Sequence, residues 1–213
     1  MEYYNSNNHE MNIIHHLIIK SPFTSKLGLI HGKMGIALMF FLFSRKKNDN
    51  VYYDFACELL DEIWNEINVN IGIGFSDGLS GIGWCIEYLI QHDFVEGSSN
   101  EICKEIDFII TRTLFSEDMS LYSESELIGI WYYMSARLYS CLYYNKEFQF
   151  KDDFINKVHS LIFDKVSMNE WGVKTDILLL KKMMNHLLIN YKDSYLNKPL
   201  GLNGLAGYIV NSI

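Results

Sequence analysis

The stretch LGLIHGKMGIALMFFLF, residues Leu27 to Phe43, combines closely spaced glycines with a long uncharged run. Gly28, Gly32 and Gly35 stand near its start, and the ten residues from Met34 to Phe43 carry no charge. The run is too short for a membrane helix, which needs roughly 20 apolar residues. A helix that is apolar on every face is buried on every face. The stretch therefore predicts an inner helix that other parts of the chain surround.

The same glycine pattern recurs along the chain. HGKMGIALMF at His31 aligns without gaps on DGLSGIGWCI at Asp77, 46 residues further on. The pattern returns as NGLAGYIVNS at Asn203, and a weaker copy, SELIGIWYYM from Ser125, keeps only the second glycine, Gly129. A period of this length is typical of two helices with their connections. Glycines one turn apart are expected to let each helix start approach neighbouring backbone closely.

Two kinds of predicted helix alternate between these motifs. Three segments are apolar on nearly every face: Met34 to Phe43, Leu79 to Ile90 and Leu127 to Tyr143. Three others are amphipathic: Val51 to Ile67, Ile102 to Leu114 and Phe150 to Val166. No segment shows a convincing strand pattern. The sequence therefore predicts an all-α fold in which outer helices cover inner ones, although the pattern assigns Val173 to Tyr191 to neither layer.

Length, charge and termini exclude several classes of protein. A chain of 213 residues is most simply one domain, residues 1–213. The formal charge is -8 and the longest basic run is Arg45 to Lys47, so nucleic acid is not expected as a partner. The N-terminus, MEYYNSNNHEMN, is no secretory signal, and a cytoplasmic protein is expected. The 4 cysteines are widely separated, which favours reduced and mostly buried thiols.

The repeated glycine motif resembles that of the lanthionine synthetase C-like family. Three stretches carry the resemblance: Gly28 to Ala37, Gly78 to Trp84 and Gly201 to Tyr208. The resemblance implies an α/α toroid, here partial or reduced, with inner helices around a central axis and outer helices around them. It also places a histidine near the central cavity, at the position of His31.

The resemblance implies a chemistry whose residues this chain lacks. Enzymes of the family cyclise dehydrated peptides by adding cysteine thiols to dehydroamino acids, using zinc held by two Cys and one His. Their hallmark is Trp-Cys-x-Gly followed by Cys-His-Gly. Here Trp84-Cys85 continues with Ile86-Glu87, and no Cys-His pair occurs. We therefore expect no zinc or other cofactor, and a noncatalytic binding or accessory protein whose partner is a peptide or a modifying enzyme, in lanthipeptide-type modification.

Five residues are candidates for facing a central cavity: His31, Asp77, Trp84, Glu87 and Arg137. His31 and Asp77 hold equivalent positions in two repeats, and His31 could equally be a cap or a packed ring. An Asp before a helix is first of all an N-cap, and we favour that interpretation for Asp77. Asn203 fits the same explanation. Glu87 and Arg137 are the single charges on their apolar helices, and a buried charge is costly unless it is paired. We expect these two to pair with each other rather than to project into a wet cavity.

Two further interpretations stay open. The first is an enzyme on the same architecture, either a divergent thioether-forming cyclase or a carbohydrate hydrolase or lyase. The latter would use Asp77 and Glu87 as its carboxylates and Trp84 and Trp131 as sugar platforms. The second follows from the end of the chain six residues after Gly207. In that interpretation a second copy or a partner chain completes the helical ring.

Overall fold

A computed structural model describes residues 2–67, 71–116, 118, 121–162, 174–175 and 199–213, with side chains from residue 9. Over these residues the regular structure is helical throughout, which confirms the predicted all-α class. The described α-helices are α1 (Glu2–Lys20), α2 (Lys33–Lys47), α3 (Asn50–Glu66), α4 (Leu79–Gln91), α5 (Ser99–Ile102), α6 (Lys104–Ser116), α7 (Glu124–Tyr143), α8 (Asp152–Ile162) and α9 (Leu205–Ser212). A 3-10 helix, Ser21–Phe23, follows α1. The segment Val173 to Tyr191 lies almost wholly outside the described residues, so its layer stays unassigned.

The chain divides into two compact units. The first consists of Met1–Ile67 with Leu178–Ile213, and the second of Asn68–Ile177. Helices α1 to α3 and α9 therefore belong to the first unit, and α4 to α8 to the second. No helix in the described part of the chain is long and apolar enough to cross a bilayer.

In the first unit, α2 is the buried helix that its apolar run predicts. Every residue from Lys33 to Phe41 is buried, and α2 packs against both α3 and α9. Helix α3 is the amphipathic partner, because it buries Ala56, Leu59 and Ile63 and exposes residues such as Val51. The apolar residues of α9 are buried as well, because α9 packs on α2 and α1.

In the second unit, α4 is the most buried helix. All 13 of its residues are buried, and it packs against α5, α6 and α7. Helix α7 begins three residues before its predicted start because Ser123 and Glu126 form a capping box. The Glu126 carboxylate accepts from Ser123 N at 2.9 Å. The weaker repeat therefore replaces its first glycine with a residue that caps the helix by its side chain.

The glycine motif of the second unit joins a helix start to its own preceding loop. Gly78 is the N-cap of α4, and Leu79 N donates to Gly72 O at 2.8 Å while Ser80 N reaches Ile73 O at 3.4 Å. Loop carbonyls thus satisfy the first N–H groups of the helix, which side chains satisfy at other helix starts. A Cβ on Gly78 would collide with Gly72 O and with Gly74.

The first and last motifs repeat this arrangement in the first unit. The equivalent bonds are Lys33 N to Lys26 O at 2.9 Å and Leu205 N to Pro199 O at 2.9 Å. Gly32 and Gly204 are the N-caps of α2 and α9. The two loops also contact each other, because Asn203 N donates to Ile30 O at 3.0 Å. The prediction that these glycines allow close backbone approach is therefore confirmed.

Three helices of the first unit meet at the carboxylate of Glu10 on α1. Glu10 pairs with Lys47 at 2.9 Å and Lys46 at 3.3 Å, both at the end of α2. Ser212 at the end of α9 donates to the same carboxylate at 3.2 Å. Burial opposes ionisation of Glu10, but the hydrogen bonds and charges of the two lysines outweigh it and lower its pKa below 4.5.

The Glu10→Gln variant is expected to lose about 1 kcal/mol of unfolding free energy at neutral pH. Because the folded-state pKa lies below the unfolded-state value, this stabilisation is present above pH 4.5 and disappears as the pH falls through the folded-state pKa. Urea unfolding of wild type and variant at pH 3 to 7 measures the difference. Glu58→Gln, at an exposed position on α3, is the control and should cost less than about 0.5 kcal/mol at every pH. A pH-independent loss in Glu10→Gln would contradict the ion-pair explanation.

Candidate functional site

Arg137 on α7 lies at the centre of a buried polar cluster in the second unit. Its side chain is 1% exposed, and its Nη1 lies 2.7 Å from Oε1 of Glu87 on α4, which is also buried. The predicted pairing of Glu87 with Arg137 is therefore confirmed. The pair links the two most apolar helices of this unit, where neither charge could stay without a partner.

Asp107 on α6 is a second carboxylate partner of Arg137. Its Oδ2 lies 2.8 Å from Nη2 and 3.1 Å from Nε, so the guanidinium and the carboxylate meet side by side. Tyr133 donates its hydroxyl to Oδ1 at 2.6 Å. Burial raises the pKa of Asp107, whereas Arg137 and Tyr133 act in the opposite direction.

The second oxygen of Glu87 binds neutral groups. Ser140 donates to Oε2 in a short hydrogen bond, and Gln91 Nε2 donates to the same atom at 3.2 Å. Gln91 in turn accepts with its Oε1 from Thr175 N at 2.8 Å and from Thr175 Oγ1 at 2.9 Å. The cluster therefore joins α4, α6 and α7 and also fixes Thr175 against α4.

The two remaining N–H groups of Arg137 donate to residues that line a cavity. Nη1 donates to Ser99 Oγ at 3.0 Å and Nη2 to Asn100 Oδ1 at 2.9 Å. All five N–H groups of the guanidinium thus have acceptors. Ser99, Asn100 and Ser140 line a cavity of about 410 Å³, so the cluster forms the inner wall of an open space in the second unit.

The other candidate residues lie outside this cluster. Trp84 is 1% exposed, with its ring 5.7 Å from that of Tyr88. Asp77 is exposed in the turn before α4, whereas His31 is half-buried in the turn before α2, in the first unit. It therefore stays a prediction that the five candidate residues face one central cavity.

The prediction that Asp77 and Asn203 are N-caps is wrong, because in each case the N-cap is the glycine that follows. Gly78 and Gly204 are the N-caps of their helices. The physical reason is that loop carbonyls accept from the first helical N–H groups, so no side-chain cap is needed there.

Two buried charged residues, Asp107 and Lys33, were not among the residues predicted from the sequence. Asp107 belongs to an amphipathic helix, but at helical spacing it shares a face with Cys103, Ile110 and Leu114, and an acid on an apolar face is a signal for a buried partner. Lys33 directly precedes the uncharged run from Met34 to Phe43. It is 3% exposed and pairs at 2.8 Å with both Glu62 and Glu66 on α3.

The cysteines do not fit the zinc site that the family resemblance implies. Cys85 is fully buried in α4, and burial raises the pKa of its thiol, whereas zinc needs a thiolate. Cys103 and Cys141 are also buried and Cys57 is half-buried, which confirms the prediction of free, mostly buried thiols. Among the residues that the structure describes, no group of three His, Cys, Asp or Glu side chains could hold a metal ion.

Comparison with known proteins identifies the family of this chain. No curated protein and no solved structure matches the chain significantly. A family model described as Lanthionine synthetase C-like protein matches residues 25–208, which covers all three glycine motifs and the buried cluster. The chain therefore belongs to the lanthionine synthetase C-like family, whose fold is the α/α toroid.

Proposed function

We propose that this protein is a noncatalytic member of its family, which binds a peptide or a peptide-modifying enzyme in lanthipeptide-type modification. The observation that carries the proposal is the environment of Cys85, whose Trp-Cys context is the nearest counterpart of the first zinc motif. Its thiol is fully buried, and burial raises its pKa. A neutral thiol in an apolar interior neither ligates zinc nor reaches a substrate.

The 213 residues keep the helical architecture of the family although they contain no Cys-His pair. The glycine motifs keep their loop-to-helix hydrogen bonds in both units, and the inner helices remain buried. A scaffold that carries the glycine motifs of the family without its Cys-His motif supports a role in binding or presentation. Localisation in the cytoplasm and assembly with a second copy or partner chain remain parts of this proposal.

The carbohydrate alternative finds no support in the second unit. Trp84 and Trp131 are 1% and 0% exposed, so neither ring offers a face to a sugar. Glu87 lies eight residues beyond the first residue of α4, roughly 12 Å along the helix axis, whereas Asp77 precedes the helix. Both oxygens of Glu87 accept hydrogen bonds inside the protein. This placement does not favour two carboxylates that converge on one glycosidic bond.

A cyclisation assay tests the proposal directly. The substrate is a synthetic peptide with one dehydroalanine and one cysteine, incubated with the full chain and added Zn²⁺. Alkylation of the remaining thiol, read by mass spectrometry, reports ring formation. We expect the rate to equal that without protein, and to be the same for Cys85→Ser. Thioether formation that depends on Cys85, together with stoichiometric zinc in protein purified without chelator, would show an enzyme instead.

A further inference from the structure

The cavity beside the buried cluster is lined mainly by residues with polar side chains. It measures about 410 Å³, within the usual range for small-molecule sites. The lining includes Ser99, Asn100, Glu101, Ser140, Tyr144 and Lys146. With walls of this kind, the number of hydrogen-bond donors and acceptors decides which ligand fits.

Arg137 fixes the orientation of two of these side chains. A guanidinium can only donate, so Ser99 Oγ accepts from Nη1 and keeps its own hydrogen for another acceptor. The atom of Asn100 that faces Nη2 must be the oxygen, which also accepts from the Cys141 thiol. The amide nitrogen of Asn100 therefore lies on the other side, where it reaches the Glu147 carbonyl at a long 3.4 Å. The Ser99 hydroxyl and the Asn100 amide can therefore each donate a hydrogen bond to a ligand in the cavity.

Two other lining residues, Tyr144 and Lys146, can also donate hydrogen bonds. Tyr144 carries a hydroxyl and Lys146 an ammonium, and both residues are exposed. Within the described residues, Lys146 Nζ has no carboxylate partner, whereas Arg137 already pairs with two carboxylates, those of Glu87 and Asp107. Glu101 is the acidic residue of the lining.

We propose that this cavity binds a carboxylate group, held by the Ser99 hydroxyl, the Asn100 amide and the Lys146 ammonium. A carboxylate is an acceptor only, and hydrogen bonds to an ionised acceptor are roughly twice as strong as neutral ones. Arg137 acts here as a positioning residue, because it orients Ser99 and Asn100 without entering the cavity. The inference is independent of the proposed function, since it rests on the cavity and not on the cysteines.

This proposal can be tested with matched ligands that differ only in their carboxylate group. Saturation-transfer difference NMR on the full chain compares N-acetyl-glycyl-glycine with its C-terminal amide. We expect the acid to bind with a Kd on the order of 1 mM and the amide about tenfold more weakly. Equal binding of acid and amide would overturn the proposal. N-acetylglycine, run alongside, separates the two sources of the group: weaker binding than the longer acid points to a peptide C-terminus, and equal binding to a small free acid.

Variants of the wall give a second test. Asn100→Asp keeps an oxygen for Arg137 but replaces the amide donor with a charged oxygen, so acid binding should fall about tenfold or more. Lys146→Gln, at an exposed position, should weaken binding of the acid and leave binding of the amide unchanged. Glu101→Gln is the control, and the acid should bind it as tightly as wild type or more tightly. Circular dichroism verifies the fold of each variant. Unchanged acid binding in both Asn100→Asp and Lys146→Gln would overturn the proposal.

Discussion

Replacing Arg137 with methionine is expected to lower the unfolding free energy by about 4 kcal/mol. The substitution leaves Glu87 and Asp107, both almost fully buried, without the cation that they share. Breaking a buried ion pair from one side is costly because the remaining charge has lost both its partner and its water. Urea unfolding followed by circular dichroism at neutral pH measures the loss.

Two controls separate this explanation from a general effect of the substitution. Arg112→Met on α6 makes the same chemical change at an exposed site, where the side chain lies over the Phe108 ring, and should cost less than about 0.5 kcal/mol. Adding Glu87→Gln and Asp107→Asn to Arg137→Met removes the orphaned charges and should recover part of the loss. If Arg137→Met costs no more than Arg112→Met, the cluster does not stabilise the second unit.

This cluster shows how far sequence periodicity reaches. Glu87 and Arg137 could be paired from the sequence because each is the single charge in an apolar helix. Asp107 could not be found in that way, because acids are expected on an amphipathic helix and only its exact helical face distinguishes it. Ser99 and Asn100 lie in a short polar segment where no periodic pattern exists. Their role depends on the tertiary contact with Arg137, which is not encoded locally.

The helix starts show the complementary limit. The apolar runs predict α2, α4 and α7 well, since burial on all faces leaves a clear pattern. Capping rules, however, favour Asp77 over Gly78, because they rank a residue with a side-chain acceptor above glycine. In these repeats the loop backbone supplies the acceptors, and a residue without Cβ is what lets that backbone come close. The glycines, rather than the polar residues before them, are therefore the informative part of the motif.

The Gly78→Ala variant is the direct test of that conclusion, with an expected loss of about 3 kcal/mol of unfolding free energy, near the upper end for overpacking. The added Cβ would collide with Gly72 O and with backbone atoms of Gly74, none of which can move as a side chain would. Relief of the collision requires breaking the bond from Leu79 N to Gly72 O, and two helical N–H groups then lose their acceptors. Urea unfolding measures the loss.

The matched control is Gly72→Ala, in the same loop, where a Cβ would meet nothing within 4 Å. It should change stability by less than about 0.5 kcal/mol, because no contact is made and an alanine restricts the unfolded chain slightly. Gly32→Ala in the first unit extends the test, since its Cβ would lie 2.5 Å from Lys26 O. If backbone approach is the common purpose of the motif, Gly32→Ala and Gly78→Ala should each destabilise the protein far more than Gly72→Ala. Equal effects of all three would mean that the glycines act through chain flexibility instead.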